Sequence, residues 1–149
     1  WVKKMDLDHA DAKAEVVFDG TSIIIRPKAA EDILLFQSQA LKAGHEVVRY
    51  EYFDQETLCS TILCDFTEKI LRVKNHTDQI LKTAFGRQEG PTWDDFIEFL
   101  EERCVPKSRE NINILLKEMG LTEYDPIQIV EKTQGRMAED AQWLKITRL

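Results

Sequence analysis

The sequence predicts a mixed α+β fold, with N-terminal antiparallel β-hairpins and one helix in residues 1–86 and a helical bundle in residues 87–149. The first part holds short runs of β-branched and aromatic residues separated by turn signals, which is typical of hairpins. The second part holds repeated helix start and stop signals. At 149 residues the chain is long enough to bury one core without a metal or a disulfide. We therefore expect a single domain, 1–149, made of these two halves.

The first hairpin is indicated by Asp19-Gly20, which stands between the β-rich runs 15–18 and 22–26. Because Asp and Gly tolerate the positive φ of a tight turn, we expect a two-residue turn with Gly20 at positive φ. A helix is predicted over residues 29–43, where apolar residues recur at helical spacing and a glycine closes the segment.

A second hairpin is predicted from residues 46–53 and 57–66, which are again rich in β-branched and aromatic residues and are joined by a short polar connector. Residues 61–73 also fit a helix, and the sequence leaves that alternative open. Residues 75–85 are typical of a short helix closed by a glycine.

The last third is predicted to be helical throughout. Thr92 is a good N-cap for a helix that ends near residue 104, and Ser108 is a good N-cap for a helix that ends near residue 119. Asp125 precedes a proline at the first helical position and so begins a third helix. Residues 137–146, which include Trp143, are expected to form a final helical turn or two.

Charge and hydropathy narrow the classes of partner. The net charge is −7, and both halves are acidic, with 11 basic against 14 acidic residues in 1–86 and 9 against 13 in 87–149. Generic DNA or RNA binding is therefore not expected, because it needs clustered Lys and Arg. The longest apolar runs are too short to span a membrane. A protein partner is expected, and homo-oligomerisation is left open.

The sequence contains no cofactor loop, metal-ligand spacing or nucleophile constellation, so no catalytic residue, cofactor or metal is expected. The three histidines are far apart, and none stands in a metal-binding spacing. Cys104 follows a basic residue that can lower a thiol pKa, but a buried structural cysteine is the favoured interpretation. An odd number of cysteines without a secreted-scaffold spacing indicates reduced thiols in the cytoplasm.

Two groups of residues stand out around the Pro106 corner. Arg103, Arg109 and Arg136 can contact an anion or a partner, because a guanidinium binds carboxylates and phosphates in a bidentate manner. Asp140 and Trp143 are predicted to be structural anchors on one face of the final helix. Asp140 is expected to pair with Arg103 or Arg109. Trp143 is expected to pack in the bundle against Phe96, Leu115 or Leu116.

The same residues carry a resemblance. The spacing L-x-x-R-x-x-P-x-x-R begins at Leu100, and T-x-G-R with D-x-x-W follows from Thr133 to Trp143. This pattern resembles a segment of uncharacterised small bacterial proteins and covers roughly the last 55 residues. Similar segments stand beside kinase-like toxin domains and on mobile elements. The resemblance implies an accessory or interaction role and carries no assigned activity.

These observations favour a non-enzymatic protein-interaction or regulatory module in a bacterial cytoplasm. The first alternative is a nucleic-acid-binding regulator, because the helix pair predicted in residues 92–119 has the order of a helix-turn-helix and carries several basic residues. The second alternative is an enzyme with a site between the two halves.

Overall fold

The structure, a computed structural model, describes residues 14–18, 20, 23–27 and 29–149, with side chains from residue 33 onward. It shows the expected mixture of helices and strands. The elements in chain order are β1 (Ala14–Phe18), β2 (Ile23–Pro27), α1 (Ala29–Lys42), β3 (Val47–Asp54), β4 (Thr57–Asp65), β5 (Ile70–Asn75), α2 (Trp93–Glu102), α3 (Ile112–Glu118), α4 (Pro126–Thr133) and β6 (Gln142–Arg148).

The main sheet has four antiparallel strands in the order β5-β4-β3-β6. Strands β3 and β4 are joined at Gln55-Glu56, where Gln55 takes a φ of 55°. Residues 61–65 belong to β4 and residues 70–73 belong to β5, with a turn between them. The helical alternative for residues 61–73 is therefore wrong. The last strand, β6, lies beside β3 and pairs Gln142 with Asp54, although the two residues are far apart in the sequence.

Strands β1 and β2 form a separate two-stranded antiparallel sheet. Gly20 has a φ of +93°, as expected. The register pairs Phe18 with Ile23, so residues 19–22 lie between the last described pair. Apart from Gly20, the predicted Asp19-Gly20 turn lies outside the described residues.

The larger core lies on the face of the main sheet that contacts α2 and α4. Tyr50 and Tyr52 of β3 project from this face, and each makes an edge-to-face contact with a phenylalanine of α2, at centroid distances of 5.1 Å to Phe96 and 5.2 Å to Phe99. Leu144 of β6 is fully buried in the same cluster. The core thus draws on both halves of the chain.

The opposite face is covered by α1 over one end only. Ile33, Phe36 and Ala40 of α1 form a smaller core with Val47 and Leu63 of the sheet. Because these three helix residues follow the i, i+3, i+7 spacing, they face the sheet while Leu34, Leu35 and Leu41 stay exposed. Within the part of the chain that the structure describes, no helix has the length and apolar character of a membrane span.

The prediction of a final helix over residues 137–146, and of a purely helical half, is wrong because residues 142–148 form strand β6. Leu144 and Ile146 face the larger core, whereas Trp143, Lys145 and Thr147 pair with β3 residues on the other face. This alternation has the period of a strand. Pairing with the edge of β3 thus outweighs a short helical pattern that had no capping support.

Two other helices differ from prediction. Residues 75–85 contain only a 3₁₀ turn at Ile80–Lys82, since Ser60 and Asn75 bond to each other and the Ser60 hydroxyl accepts from the Ala84 N–H. Helix α3 begins at Ile112, after Asn111 in the left-handed region, and Ser108 is not its cap. Thr92 and Asp125 are N-caps as predicted, with Thr92 completing a capping box with Asp95.

Candidate interaction surface

Arg103 lies at the C-terminal end of α2 and is buried, with 7% of its surface exposed. Its Nη1 and Nη2 donate to the two carboxylate oxygens of Asp140 at 2.6 and 2.9 Å. Its Nε donates to the Gly135 carbonyl at 2.9 Å, and Nη2 also donates to the Gln142 carbonyl at 2.9 Å. The guanidinium therefore ties α2 to the loop between α4 and β6, and these acceptors occupy the donors that an anion would need.

The loop that receives Arg103 is shaped by Gly135. This glycine has a φ of +61°, and a Cβ placed on it would lie 3.3 Å from Arg103 Cβ and 3.3 Å from Leu144 Cδ1. The loop thus requires glycine for two reasons, backbone conformation and close approach. Hydrogen bonding from the Arg103 guanidinium holds the pKa of Asp140 below its usual range.

The three arginines singled out from the sequence do not share one environment. Arg103 is buried, whereas Arg109 and Arg136 are exposed. Arg109 lies in the turn after Pro106, whose carbonyl accepts its backbone N–H at 3.0 Å. Arg136 lies over the Trp143 ring, with its guanidinium carbon 4.7 Å from the ring centroid. Asp140 pairs with Arg103, which is one of the two partners, Arg103 and Arg109, that the sequence predicted for it.

Trp143 does not lie in the larger core. It is half-buried on the opposite face of the sheet, where it stacks on Phe53 with a centroid distance of 4.6 Å and an interplanar angle of 13°. Its Nε1 donates to the Gln55 carbonyl at 2.7 Å. The expectation that Trp143 packs against Phe96, Leu115 or Leu116 is wrong because residue 143 faces away from α2 in the strand register. Leu144 occupies the core position instead.

The stacked rings border a group of charged residues on the same face. The register places Lys74, Thr61, Glu51 and Lys145 in one row across the four strands, and Arg49 pairs with Thr147 in the next row. Glu51 lies between two cations, with Oε2 3.9 Å from Arg49 Nε and 4.0 Å from Lys145 Nζ. We call this surface the cationic patch. It consists of Arg49, Glu51, Phe53, Thr61, Lys74, Arg136, Trp143, Lys145 and Thr147.

The patch has the opposite sign to the whole protein. It carries four cations, Arg49, Lys74, Arg136 and Lys145, against one anion, Glu51, while the net charge of the chain is −7. The side chain of Lys145 is 60% exposed. Sequence reasoning missed this patch because its residues come from four strands and a loop. The signal that could have found part of it is the alternation from Leu144 to Thr147.

Strand β6 forms the edge of the sheet beside the patch. The Leu144 N–H donates to the Gln134 carbonyl at 2.8 Å, so it points away from β3. Because outward and inward groups alternate along an antiparallel strand, the backbone N–H and C=O of Ile146 and Arg148 also point away from β3. The Arg148 side chain is held by Glu46 at 2.7 Å and by Glu131 of α4.

A buried carboxylate–imidazole pair lies where β3 begins. Asp65 is 2% exposed, its Oδ2 lies 2.6 Å from His45 Nδ1, and its Oδ1 accepts the backbone N–H groups of Thr67 and Glu68. Burial raises the pKa of Asp65, but the hydrogen bonds from His45 and the two backbone groups outweigh it and hold the pKa below its usual range. The pair fastens the turn after β4 to the start of β3.

The three cysteines, Cys59, Cys64 and Cys104, are buried free thiols. Burial raises the pKa of Cys104 to about 12, which overrides the neighbouring Arg103 and keeps the thiol protonated. In the described residues, His, Cys, Asp and Glu side chains nowhere gather in a group of three or more that could hold a metal ion.

The helix pair has a longer connection than a helix-turn-helix. It runs from residue 103 to residue 111, whereas the turn of a helix-turn-helix has three or four residues. Helix α2 also carries acidic side chains along its exposed positions: Asp94, Glu98, Glu101 and Glu102. No family model, curated protein or solved structure matches the chain.

Proposed function

We propose that the protein is a non-enzymatic protein-interaction module that binds its partner with the cationic patch and the adjoining edge of β6. The observation that carries this proposal is the Phe53-Trp143-Arg136 stack, which lies outside both cores on a partly exposed face. Trp and Arg are the residue types most enriched among the hot spots of protein interfaces. A rigid aromatic group beside accessible charges has the composition of such a contact.

The stack is also pre-organised for binding. Trp143 is fixed by the stack on one ring face, by the Arg136 guanidinium, and by the hydrogen bond from Nε1 to the Gln55 carbonyl. Arg136 follows Gly135, whose carbonyl is bound by Arg103. Because these side chains are held before a partner arrives, binding costs less side-chain entropy than it does for free surface residues.

The bacterial cytoplasm is proposed as the setting, with an accessory role. The resemblance of residues 99–144 to small bacterial proteins supports it, and so do three buried reduced thiols without a disulfide among the described residues.

Two alternative functions are less well supported than this proposal. A nucleic-acid-binding regulator using residues 92–119 would have to bring the acidic exposed side of α2 near phosphates, which is electrostatically unfavourable. An enzyme with a site between residues 1–86 and 87–149 would use the region where α2 meets β3, and the edge-to-face pairs Tyr50–Phe96 and Tyr52–Phe99 fill that region with buried rings. At the end of α2, four of the five N–H groups of the Arg103 guanidinium already donate to Asp140 and two carbonyls.

The test is a comparison of three immobilised proteins exposed to extract of the source cells. The wild type and Lys117→Glu, a charge reversal on the exposed side of α3, should retain the same protein partner. Lys145→Glu with Arg136→Glu should lose it, because both changes put negative charge on the patch. Retention of the same partner by the double variant would contradict the proposed surface. Selective retention of nucleic acid by the wild type would favour the first alternative.

A further inference from the structure

We infer that the partner segment is an extended acidic peptide that adds to the sheet as a fifth strand along β6. The inference rests on the proposed function and specifies its ligand. Two independent observations support it: the outward-pointing backbone groups of β6 and the reversed charge of the patch beside them.

The edge of β6 fits a short added strand. At Leu144 the outward N–H is already bound by the Gln134 carbonyl, so the loop after α4 closes this end of the edge. From Ile146 to Arg148 the outward groups continue beyond that loop, in the geometry that strand addition requires. The side chains of an added strand alternate between the two faces of the sheet. Every second side chain of the peptide would therefore lie on the face of the sheet that carries Lys145 and Thr147.

The charge of the patch selects the peptide. Lys145 is 60% exposed, and its nearest anion, Glu51, lies 4.0 Å away and is shared with Arg49. Arg136 is exposed over Trp143. An aspartate or glutamate at the alternate positions would meet these cations, whereas a basic residue there would be repelled. Arg148 is less available, since Glu46 and Glu131 already bind it.

A second copy of this chain fits the edge poorly. An antiparallel pair of β6 strands would bring Lys145 and Arg148 of one copy near the same cations of the other. Charged side chains on edge strands, lysine above all, are a recognised means of preventing such pairing. The same charges favour an acidic strand from another protein.

The experiment selects peptides with the full-length protein from a display library of randomised ten-residue segments. Selected peptides are then synthesised with a fluorescent label and titrated by anisotropy. We expect Asp or Glu at alternate positions, binding that weakens as salt is raised, and a loss of at least about tenfold in affinity with Lys145→Glu. The matched control Lys117→Glu should bind as the wild type does. The Ile146 and Arg148 amides should exchange hydrogen more slowly when the peptide is bound.

Other outcomes separate the inference from the proposed function. Selected peptides without acidic alternation, or with unchanged exchange at Ile146 and Arg148, would overturn the inference, and loss of the captured partner by the patch variant would leave the proposed function standing. No selected peptide above background would also overturn the inference. So would a concentration-dependent dimer that protects the same amides, or tighter binding of a single-stranded oligonucleotide probe. If the patch variant also keeps its captured partner, the proposed function fails separately.

Discussion

The two faces of the four-stranded sheet use the same strands for different purposes. On one face, Tyr50 and Tyr52 pack edge-on against phenylalanines of α2, and the side chains there are almost fully buried. On the other face, Phe53 and Trp143 stack on each other between charged neighbours and stay half-exposed. Aromatic residues that are adjacent along β3 thus differ in function because alternation sends them to opposite sides. One face stabilises the fold, and the other is available for contact.

The largest effect is expected from the buried face. Phe96→Ala should lower the free energy of unfolding by about 3–5 kcal/mol, because it removes a fully buried ring from the larger core. Phe53→Ala, the same truncation on the patch side, should cost clearly less. Chemical denaturation midpoints of both variants make the comparison. Equal losses would mean that Phe53 is as much a part of the core as Phe96.

The next largest effect on stability is expected from substitution of the buried Arg103. Arg103→Met should cost about 2–3 kcal/mol, because it leaves two carbonyls and the Asp140 carboxylate without their donor, while partial exposure of Asp140 reduces the penalty. Arg109→Met, on the exposed turn, should stay within about 0.5 kcal/mol of the wild type. Thermal and urea unfolding measure both. If the two substitutions had similar effects, the buried network would not stabilise the fold.

Gly135 and Gly90 have nearly the same positive φ, so substituting both separates backbone strain from steric crowding by the added Cβ. Gly135→Ala and Gly90→Ala both place alanine at a φ near +60°, which costs about 1 kcal/mol. Only at Gly135 does the new Cβ meet Arg103 and Leu144, so this variant should lose about 1–2 kcal/mol more than Gly90→Ala. Parallel denaturation curves give the difference. A difference of zero would show that the loop relaxes without disturbing Arg103.

Trp143→Ala tests the contact face directly. The truncation should cost about 1–2 kcal/mol, less than a core tryptophan, because the ring is half-exposed and its stack contributes only modestly beyond buried area. Partner binding should fall much more than stability does. The denaturation midpoint and partner titration are measured on the same preparation. A loss of 3–5 kcal/mol with unchanged binding would return Trp143 to a structural role.

The smallest expected effect is the change in folding stability at acidic pH. Because the folded-state pKa of Asp65 is held below its usual range, its contribution to stability is complete above the unfolded aspartate pKa of about 3.9 and is lost as pH falls through the folded value. The wild type should therefore lose stability more steeply below about pH 4 than Asp65→Asn does. Urea midpoints from pH 6 to pH 3 test this. Parallel curves would contradict the assigned role of the His45 bond.

Local chemistry in the sequence determined the elements that have their own start and stop signals. Thr92 with Asp95 and Asp125 with Pro126 begin helices where they were predicted, because a cap satisfies backbone N–H groups within a few residues. The mixed α+β class, helix α1 and the buried state of the cysteines also follow from local pattern and composition. For Asp140 the sequence predicted a pairing with either Arg103 or Arg109, and it could not distinguish between the two.

The tertiary structure decided which residues, distant from one another in the sequence, come together in the fold. Residues 142–148 become a strand because β3 offers an unpaired edge, and this choice moves Trp143 from the predicted core to the opposite face and Leu144 into the core. The cationic patch has the same origin, since Lys74, Glu51 and Lys145 fall in one row only when all four strands come into register. Strand pairing is a long-range contact, and its free energy depends strongly on the residues that lie across the sheet, which are distant in the sequence. For that reason the caps Thr92 and Asp125 were readable from the sequence and the surface was not.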